Sequence, residues 1–229
     1  MTQDDAKRLV GEHGAELVAP DMAVGLGTGT TATRFIRALG ARNAQTNLNI
    51  RCVASSKASA DLARNLGLDV VTLNELPRLD LYIDGADEVD SKLNLIKDGG
   101  GAHLREKIIA SCSDRFAALV DSSKVVPTLG KFPLPVEVVK MAYVPVEHKL
   151  DALGLNPILR HEKGTDQPLL TVENNYILDC YCGPIFDLEI VSTKIRNIVG
   201  VVEHGLFLNM TSMCLVAGDD GVIQLKRST

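Results

Sequence analysis

Apolar residues recur at helical spacing at the start of the chain. Ala6, Leu9, Val10, Ala15, Leu17 and Val18 form one stripe and predict a helix over 3–19. A short apolar run, Met22 to Leu26, reads as a strand and passes through a glycine-rich turn into a second helix, GTGTTATRFIRAL. Leu48 to Ala54 predicts the next strand, 58–66 a helix that Gly67 can stop, and Val70 to Leu73 and Leu79 to Ile83 two further strands. A helix over 102–112 and a strand from Phe116 to Val120 continue the alternation. Strands that alternate with helices imply a parallel sheet with right-handed crossovers.

The pattern changes near residue 130. Gly130-Lys131-Phe132-Pro133-Leu134-Pro135 is rich in turn formers and breaks any helix. Two strand–helix–strand stretches follow, Pro135 to Leu153 with Pro157 to Arg160, then Leu169 to Leu178 with Leu188 to Ile198. A turn is expected at Glu173-Asn174-Asn175, because Asn tolerates positive φ. Residues 207–217 and 222–225 read as final strands. The fold class is therefore α/β: a Rossmann-like, mostly parallel sheet flanked by helices, with a smaller α+β domain inserted near the C-terminus. The expected division is 1–130 plus 208–229 for the larger domain and 131–207 for the smaller.

Composition narrows the function classes. The 229 residues are 45% hydrophobic with no Trp and 4% aromatics, so the core is aliphatic. The net charge of −5 argues against a nucleic-acid partner, which needs a basic face. The N-terminus lacks the layout of a signal peptide and no apolar run approaches ~18 residues, so neither export nor a membrane span is expected. The five cysteines (52, 112, 180, 182, 214) form no C-x-x-C pair and read as reduced thiols of a cytoplasmic protein, with Cys180 and Cys182 sharing one strand face. The five histidines have no zinc-ligand spacing, and no metal is expected.

Four segments carry chemistry. In Gly25-Leu26-Gly27-Thr28-Gly29-Thr30-Thr31-Ala32, a glycine-rich loop between strand and helix points backbone N–H groups at an anion, and the helix dipole adds to the attraction. Gly27-x-Gly29-x-x-Ala32 also fits a dinucleotide fingerprint, but that needs an acidic residue about 20 positions on, and none occurs between Asp21 and Asp61. A monophosphate fits better. Asp84-Gly85-Ala86-Asp87-Glu88 follows an apolar strand and projects carboxylates where ligands of α/β sheets bind, or forms a solvated acidic turn. Lys97-Asp98-Gly99-Gly100-Gly101 leads into a helix that carries Glu106. A lysine and a carboxylate around such a loop suit proton abstraction beside a carbonyl: one removes the C–H proton, the other stabilises charge on oxygen. Asp121-Ser122-Ser123-Lys124 offers a lysine that reaches a phosphate or stays on the surface.

Together these segments resemble ribose-5-phosphate isomerases of the A type. The matching text is GLGTGTTA, ASSKAS (54–59), YIDGADEVD (82–90), IKDGGGAHLREKIIAS (96–111), DSSK and GKFPLPVEV (130–138), with weaker similarity at ILD (177–179) and GVVEHGLF (200–207). The resemblance implies interconversion of D-ribose 5-phosphate and D-ribulose 5-phosphate through an enediol, without metal or organic cofactor. It implies Glu106 as the proton-shuttling base, with Asp84, Lys97 and Asp87 in catalysis. It places substrate contacts at Thr28, Gly29, Thr30, Thr31, Asp84, Gly85, Ala86, Asp87, Lys97, Asp98, Gly99, Gly100 and Lys124. It further implies a homodimer or homotetramer in the non-oxidative pentose phosphate pathway and a ferredoxin-like small domain. Asp98 stands where the family usually has Gly, and Asn174 replaces the usual turn Gly. A sugar-phosphate sensor has no need of Glu106 and needs a DNA-binding module, for which the residues before the first strand are too few. An NAD(P) oxidoreductase lacks its ribose acid, and an amino-sugar phosphate deaminase lacks this motif set.

Overall fold

The computed structural model describes residues 1–97 and 100–227. Helix α1 (Gln3–Glu16) starts at Thr2, whose side chain accepts the Asp5 N–H and satisfies one free donor of the first turn. Strand β1 (Ala23–Leu26), α2 (Thr30–Thr46), β2 (Arg51–Ala54), α3 (Lys57–Asn65), β3 (Asp69–Val70) and β4 (Leu81–Gly85) continue the expected alternation. Two short strands follow, β5 (Glu88–Val89) and β6 (Leu95–Ile96), then α4 (His103–Ser111) and β7 (Phe116–Asp121). Next come β8 (Leu134–Val138), α5 (Tyr143–Ala152), β9 (Pro157–Leu159), β10 (Tyr176–Cys180), α6 (Leu188–Arg196) and β11 (Val201–His204). The chain closes with β12 (Leu206–Phe207), β13 (Met213–Gly218) and β14 (Gly221–Lys226).

Seven strands form the main sheet in the order β14-β13-β7-β4-β1-β2-β3. Every neighbour pair is parallel except the hairpin β13–β14. Alternation along the strands feeds two cores. Leu81 and Ile83 of β4 pack with Phe35, Ile36 and Leu39 of α2 and with Val10 of α1. Tyr82, between them in sequence, points to the opposite face and packs with Ile109 of α4, Phe116 and Phe207. Burying each such large side chain contributes about 1.5–3 kcal/mol, which anchors both helical layers to the sheet.

A second sheet of four strands runs β11-β8-β10-β9, antiparallel throughout. Two interleaved β-α-β units in this order make the ferredoxin-like arrangement. A third sheet, β12-β6-β5, joins the two regions, with Leu206 opposite Ile96 and Phe207 opposite Leu95. The strand expected over 207–217 is divided into β12 and β13, with 208–212 in neither.

Several bounds differ from expectation for local reasons. The first helix stops at Glu16, where Leu17 caps it, and does not reach residue 19. Asn47 and Asn49 have φ of 45° and 52°, so β2 cannot begin at Leu48. The strand expected over Val70 to Leu73 shrinks to Asp69–Val70, because β3 is the sheet edge and only Arg51 and Cys52 pair with it. Residues 171–175 form a turn with Asn174 at φ 64°, and β10 begins only at Tyr176. That strand ends at Cys180, so Cys182 does not share its ladder. No helix among the described residues is long and apolar enough to cross a membrane.

Candidate active site

The strand order reverses between β1 and β4: β2 lies beyond β1 on one side and β7 beyond β4 on the other. A crevice opens at the carboxyl ends of strands at such a point. Here it is a cleft of about 370 Å³. Thr28, Gly29, Thr30, Thr31, Gly85, Ala86, Asp87, Lys97, Gly100, Glu106 and Lys124 line it, with Lys7, Val120 and Asp121 added by the fold. A larger groove of about 730 Å³ between residues 90–94, 127–129 and 185–190 shares no lining residue with it.

One end of the cleft suits an anion. Helix α2 begins at Gly29, with φ 99°, no side-chain cap and no acidic residue in the first turn. Its first N–H groups therefore face the cleft uncapped, at the positive end of the helix dipole. Ser55 and Ser59 hold the loop from behind: Thr28 Oγ1 and Ser55 Oγ are 2.6 Å apart, and the Ser59 hydroxyl donates to the Gly27 carbonyl at 2.7 Å. Lys7 enters from α1 and Lys124 from the turn after β7. Lys124 Nζ is 4.0 Å from Asp87 Oδ1. Burial raises the pKa of Asp121, but hydrogen bonds from Ser123 and Gln3, aided by Lys124, outweigh it and hold the carboxyl below its ordinary value. Lys7 is absent from the sequence reading. It belongs to a helix with no motif, and only the fold carries it to the loop.

The other end holds a buried charge cluster. Lys97 Nζ lies 2.9 Å from Asp84 Oδ2 and 3.2 Å from Glu106 Oε2, and it also donates to the Gly85 carbonyl. All three side chains are nearly inaccessible, at 4%, 0% and 6% exposure for Lys97, Asp84 and Glu106. Burial opposes the charge on Lys97, yet Asp84 and Glu106 outweigh it and raise its pKa above the ordinary lysine value. The ammonium is therefore a fixed positive charge at neutral pH.

Asp84 sits beneath the cleft and does not line it. Its Oδ1 accepts the N–H groups of Thr28 at 3.0 Å and Gly85 at 2.7 Å, and its Oδ2 accepts Tyr82 Oη and Lys97. A Cβ on Gly27 would lie 2.0 Å from Asp84 Oδ1, so the loop needs glycine where the carboxylate presses against it. Burial, then Asp84 and Glu106, push the Tyr82 phenol well above its ordinary pKa and keep it a donor. Glu88, the last acid of the same motif, turns away and accepts the N–H groups of Gly130 and Phe132 at 2.7 Å each. Asp98 and Gly99 lie outside the described residues; Gly100 lines the cleft, and Gly101 adopts φ 82°. Among the described residues no cluster of His, Cys, Asp and Glu is arranged to hold a metal ion.

An acid–base pair at one end and an anion cradle at the other can abstract a proton from a phosphorylated carbonyl compound. Comparison with known proteins points the same way. Residues 51–221 match the family model of ribose 5-phosphate isomerase A (phosphoriboisomerase A). Ribose-5-phosphate isomerase A of Caulobacter vibrioides (strain NA1000 / CB15N) is 43% identical over 99% of this chain and 100% of its own. The solved structure of ribose 5-phosphate isomerase A from Methanocaldococcus jannaschii superposes with a TM-score of 0.94 at 39% identity, covering 98% of this chain and 100% of that one. A D-ribose-5-phosphate isomerase in complex with phospho-erythronic acid superposes with a TM-score of 0.96 at 32% identity, over 99% and 100% of the two chains. With the motifs, the cleft and the full-length similarity in agreement, this chain belongs to the ribose 5-phosphate isomerase A family.

Proposed function

We propose that this chain interconverts D-ribose 5-phosphate and D-ribulose 5-phosphate, with Glu106 as the base. The observation that carries the reading is the Lys97–Glu106 pair, 3.2 Å apart, in a cleft that also contains the uncapped start of α2. The phosphate is held by the N–H groups of α2, the hydroxyls of Thr30 and Thr31, and the ammonium groups of Lys7 and Lys124. Asp87, Gly85, Ala86 and Gly100 contact the sugar between the two ends, and Thr28 and Gly29 shape the phosphate loop. Asp98 and Gly99 belong to the same substrate-binding loop in this reading.

The chemistry is a proton shuttle. Ring opening takes a proton from the C1 hydroxyl and delivers one to the ring oxygen; Asp87 and the Lys97–Asp84 pair serve that step. In the open aldose, Glu106 removes the C2 proton, and the C–H electron pair forms the C1–C2 double bond while the carbonyl oxygen becomes negative. The fixed charge of Lys97 stabilises that oxygen. A proton passes from O2 to O1, and Glu106 returns its own proton to C1, which leaves the ketone at C2. Nothing is oxidised or reduced overall, so the reaction calls for no redox cofactor. Asp84 acts through Lys97, which it fixes, and through the loop N–H groups that it orients. The isomerase solved with phospho-erythronic acid supports the reading, because that ligand joins a phosphate to a carboxylate, whose planar carbon and delocalised negative charge resemble those of an enediolate. We further propose that the protein acts in the cytoplasm as a homodimer or homotetramer.

The test is an assay of purified protein with ribose 5-phosphate, no added cofactor, and EDTA present. Turnover is expected, and Glu106→Gln is expected to lose about 10²- to 10⁴-fold of it while still binding substrate. Near-normal turnover of Glu106→Gln refutes the base assignment. Activity abolished by EDTA and restored only by metal refutes the cofactor-free route.

A further inference from the structure

Helix α4 carries the base, and its hidden face is held by charges that the mechanism does not use. His103 and Lys107 lie four residues apart on one face, while Glu106 sits about 100° round the helix from Lys107 and faces the cleft. Opposite that hidden face stand two carboxylates of the second sheet. Glu137 of β8 and Glu203 of β11 are direct cross-strand partners. Like charges in such positions repel, so the pair needs compensation.

Each carboxylate has its own set of partners. Glu137 accepts Thr171 Oγ1 and Asn175 Nδ2 at 2.9 Å each, and its other oxygen lies 3.9 Å from His103 Nε2. Glu203 takes the Lys107 ammonium at 2.9 Å, Arg196 at 3.3 Å and the His204 N–H at 2.9 Å. Lys107 also donates to the His204 carbonyl, and its Nζ stands 4.9 Å from the centre of the Phe207 ring, which Lys97 approaches at 5.6 Å. His204 is buried: its Nδ1 accepts the Leu206 N–H, so its Nε2 carries the proton toward Ser192 Oγ.

We propose that Lys107, clamped by Glu203, is a positioning residue: it fixes the roll of α4 about its axis and thereby aims Glu106 at the reacting carbons. The clamp ties α4 to the edge strand of the second sheet. Glu203 is supplied by β11 of the second sheet, whereas Glu106 meets Lys97, the residue after β6. A roll of α4 moves Glu106 sideways in the cleft without disturbing the phosphate end, which is built from α1, α2 and the β7 turn. The cost of a misplaced base therefore falls on turnover and spares binding. Burial lowers Lys107 to about 8 despite Glu203, so the charge is maintained at a desolvation cost that a solvated helix residue avoids.

The inference rests on Glu106 as the base, and the experiment separates the two claims. Lys107→Met is expected to reduce kcat about 10- to 100-fold, the effect of a displacement of about 1 Å, with KM changed less than about threefold. The double variant Lys107→Met/Glu203→Gln removes both charges, so its Tm is expected to recover toward the parent while kcat stays low. The double variant also carries the test if Lys107→Met alone does not fold. Recovery of kcat together with Tm overturns the positioning role, as does a loss that appears in KM instead of kcat. Glu106→Gln is assayed alongside. If it loses turnover while Lys107→Met keeps its kcat, the clamp fails and the base stands; if Glu106→Gln keeps turnover, the base itself fails.

Discussion

Replacing Lys97 by Met removes one ammonium and leaves two buried carboxylates in its place. Asp84 and Glu106, now 2.9 and 3.2 Å from the same Nζ, lose their shared counter-charge. Breaking a buried ion pair from one side costs about 3–5 kcal/mol. For a chain of this size each kcal/mol shifts Tm by roughly 2–4 °C, so Lys97→Met is expected to melt about 6–20 °C lower near neutral pH. The deficit has a direction with pH. In the parent, the pKa of Lys97 is raised, so its contribution is whole below the unfolded lysine value of about 10.4 and is lost only as pH rises through the folded value. Between about pH 5 and about pH 8 the parent's Lys97 contribution is thus constant. The variant instead gains from acid, because a carboxyl that takes up a proton no longer repels its neighbour. The difference in Tm is expected to widen as pH rises, and kcat to fall about 10²- to 10³-fold from loss of the oxyanion's partner. Thermal melts of both proteins across that range, with an isomerase assay at each pH, make the test. An equal Tm, or a deficit that stays constant with pH, refutes the view that Lys97 neutralises both acids.

Lys7→Met tests the anion end. Lys7 is only partly buried, so about 1 kcal/mol of phosphate binding is at stake, roughly a fivefold rise in KM with kcat preserved; an unchanged KM places the phosphate elsewhere. Gly27→Ala tests the packing of the loop on Asp84. Its Cβ would fall 2.0 Å from Oδ1, a clash worth about 1–3 kcal/mol or more, whereas Gly100→Ala meets nothing within 4 Å. Melts are expected to separate the two variants, and equal Tm values would show that the loop relaxes freely.

The alternation of strands and helices, the late antiparallel unit and the four chemical segments are legible in the sequence because each has local punctuation. Gly29 before Thr30 announces α2, and Asn174 announces its turn. What is not legible depends on distant partners. The β12 side of Leu95 and Ile96 is not legible, because Leu206 and Phe207 lie more than a hundred residues on. Lys7 has no motif around it. Asp84 reads as a carboxylate offered to substrate, yet four donors converge on it and draw it beneath the cleft. Glu137 and Glu203 face α4 together only through the β8–β11 register.

That late-arriving partner for β6 has a consequence for the order of events during synthesis. The Lys97 N–H donates to the Gly205 carbonyl at 2.9 Å, and a Cβ on Gly205 would lie 2.4 Å from the Lys97 carbonyl oxygen. The strand leading into the lysine has β5 beside it from the start, but its second neighbour, β12, comes only after the whole ferredoxin-like unit has been made. Contacts of such long sequence separation form slowly. A nascent chain can display the phosphate loop, Asp84, Lys97 and Glu106 well before Gly205 accepts the Lys97 N–H. One of the last joins of the polypeptide thus completes the backbone support of the lysine, and an interrupted chain carries the site residues without it.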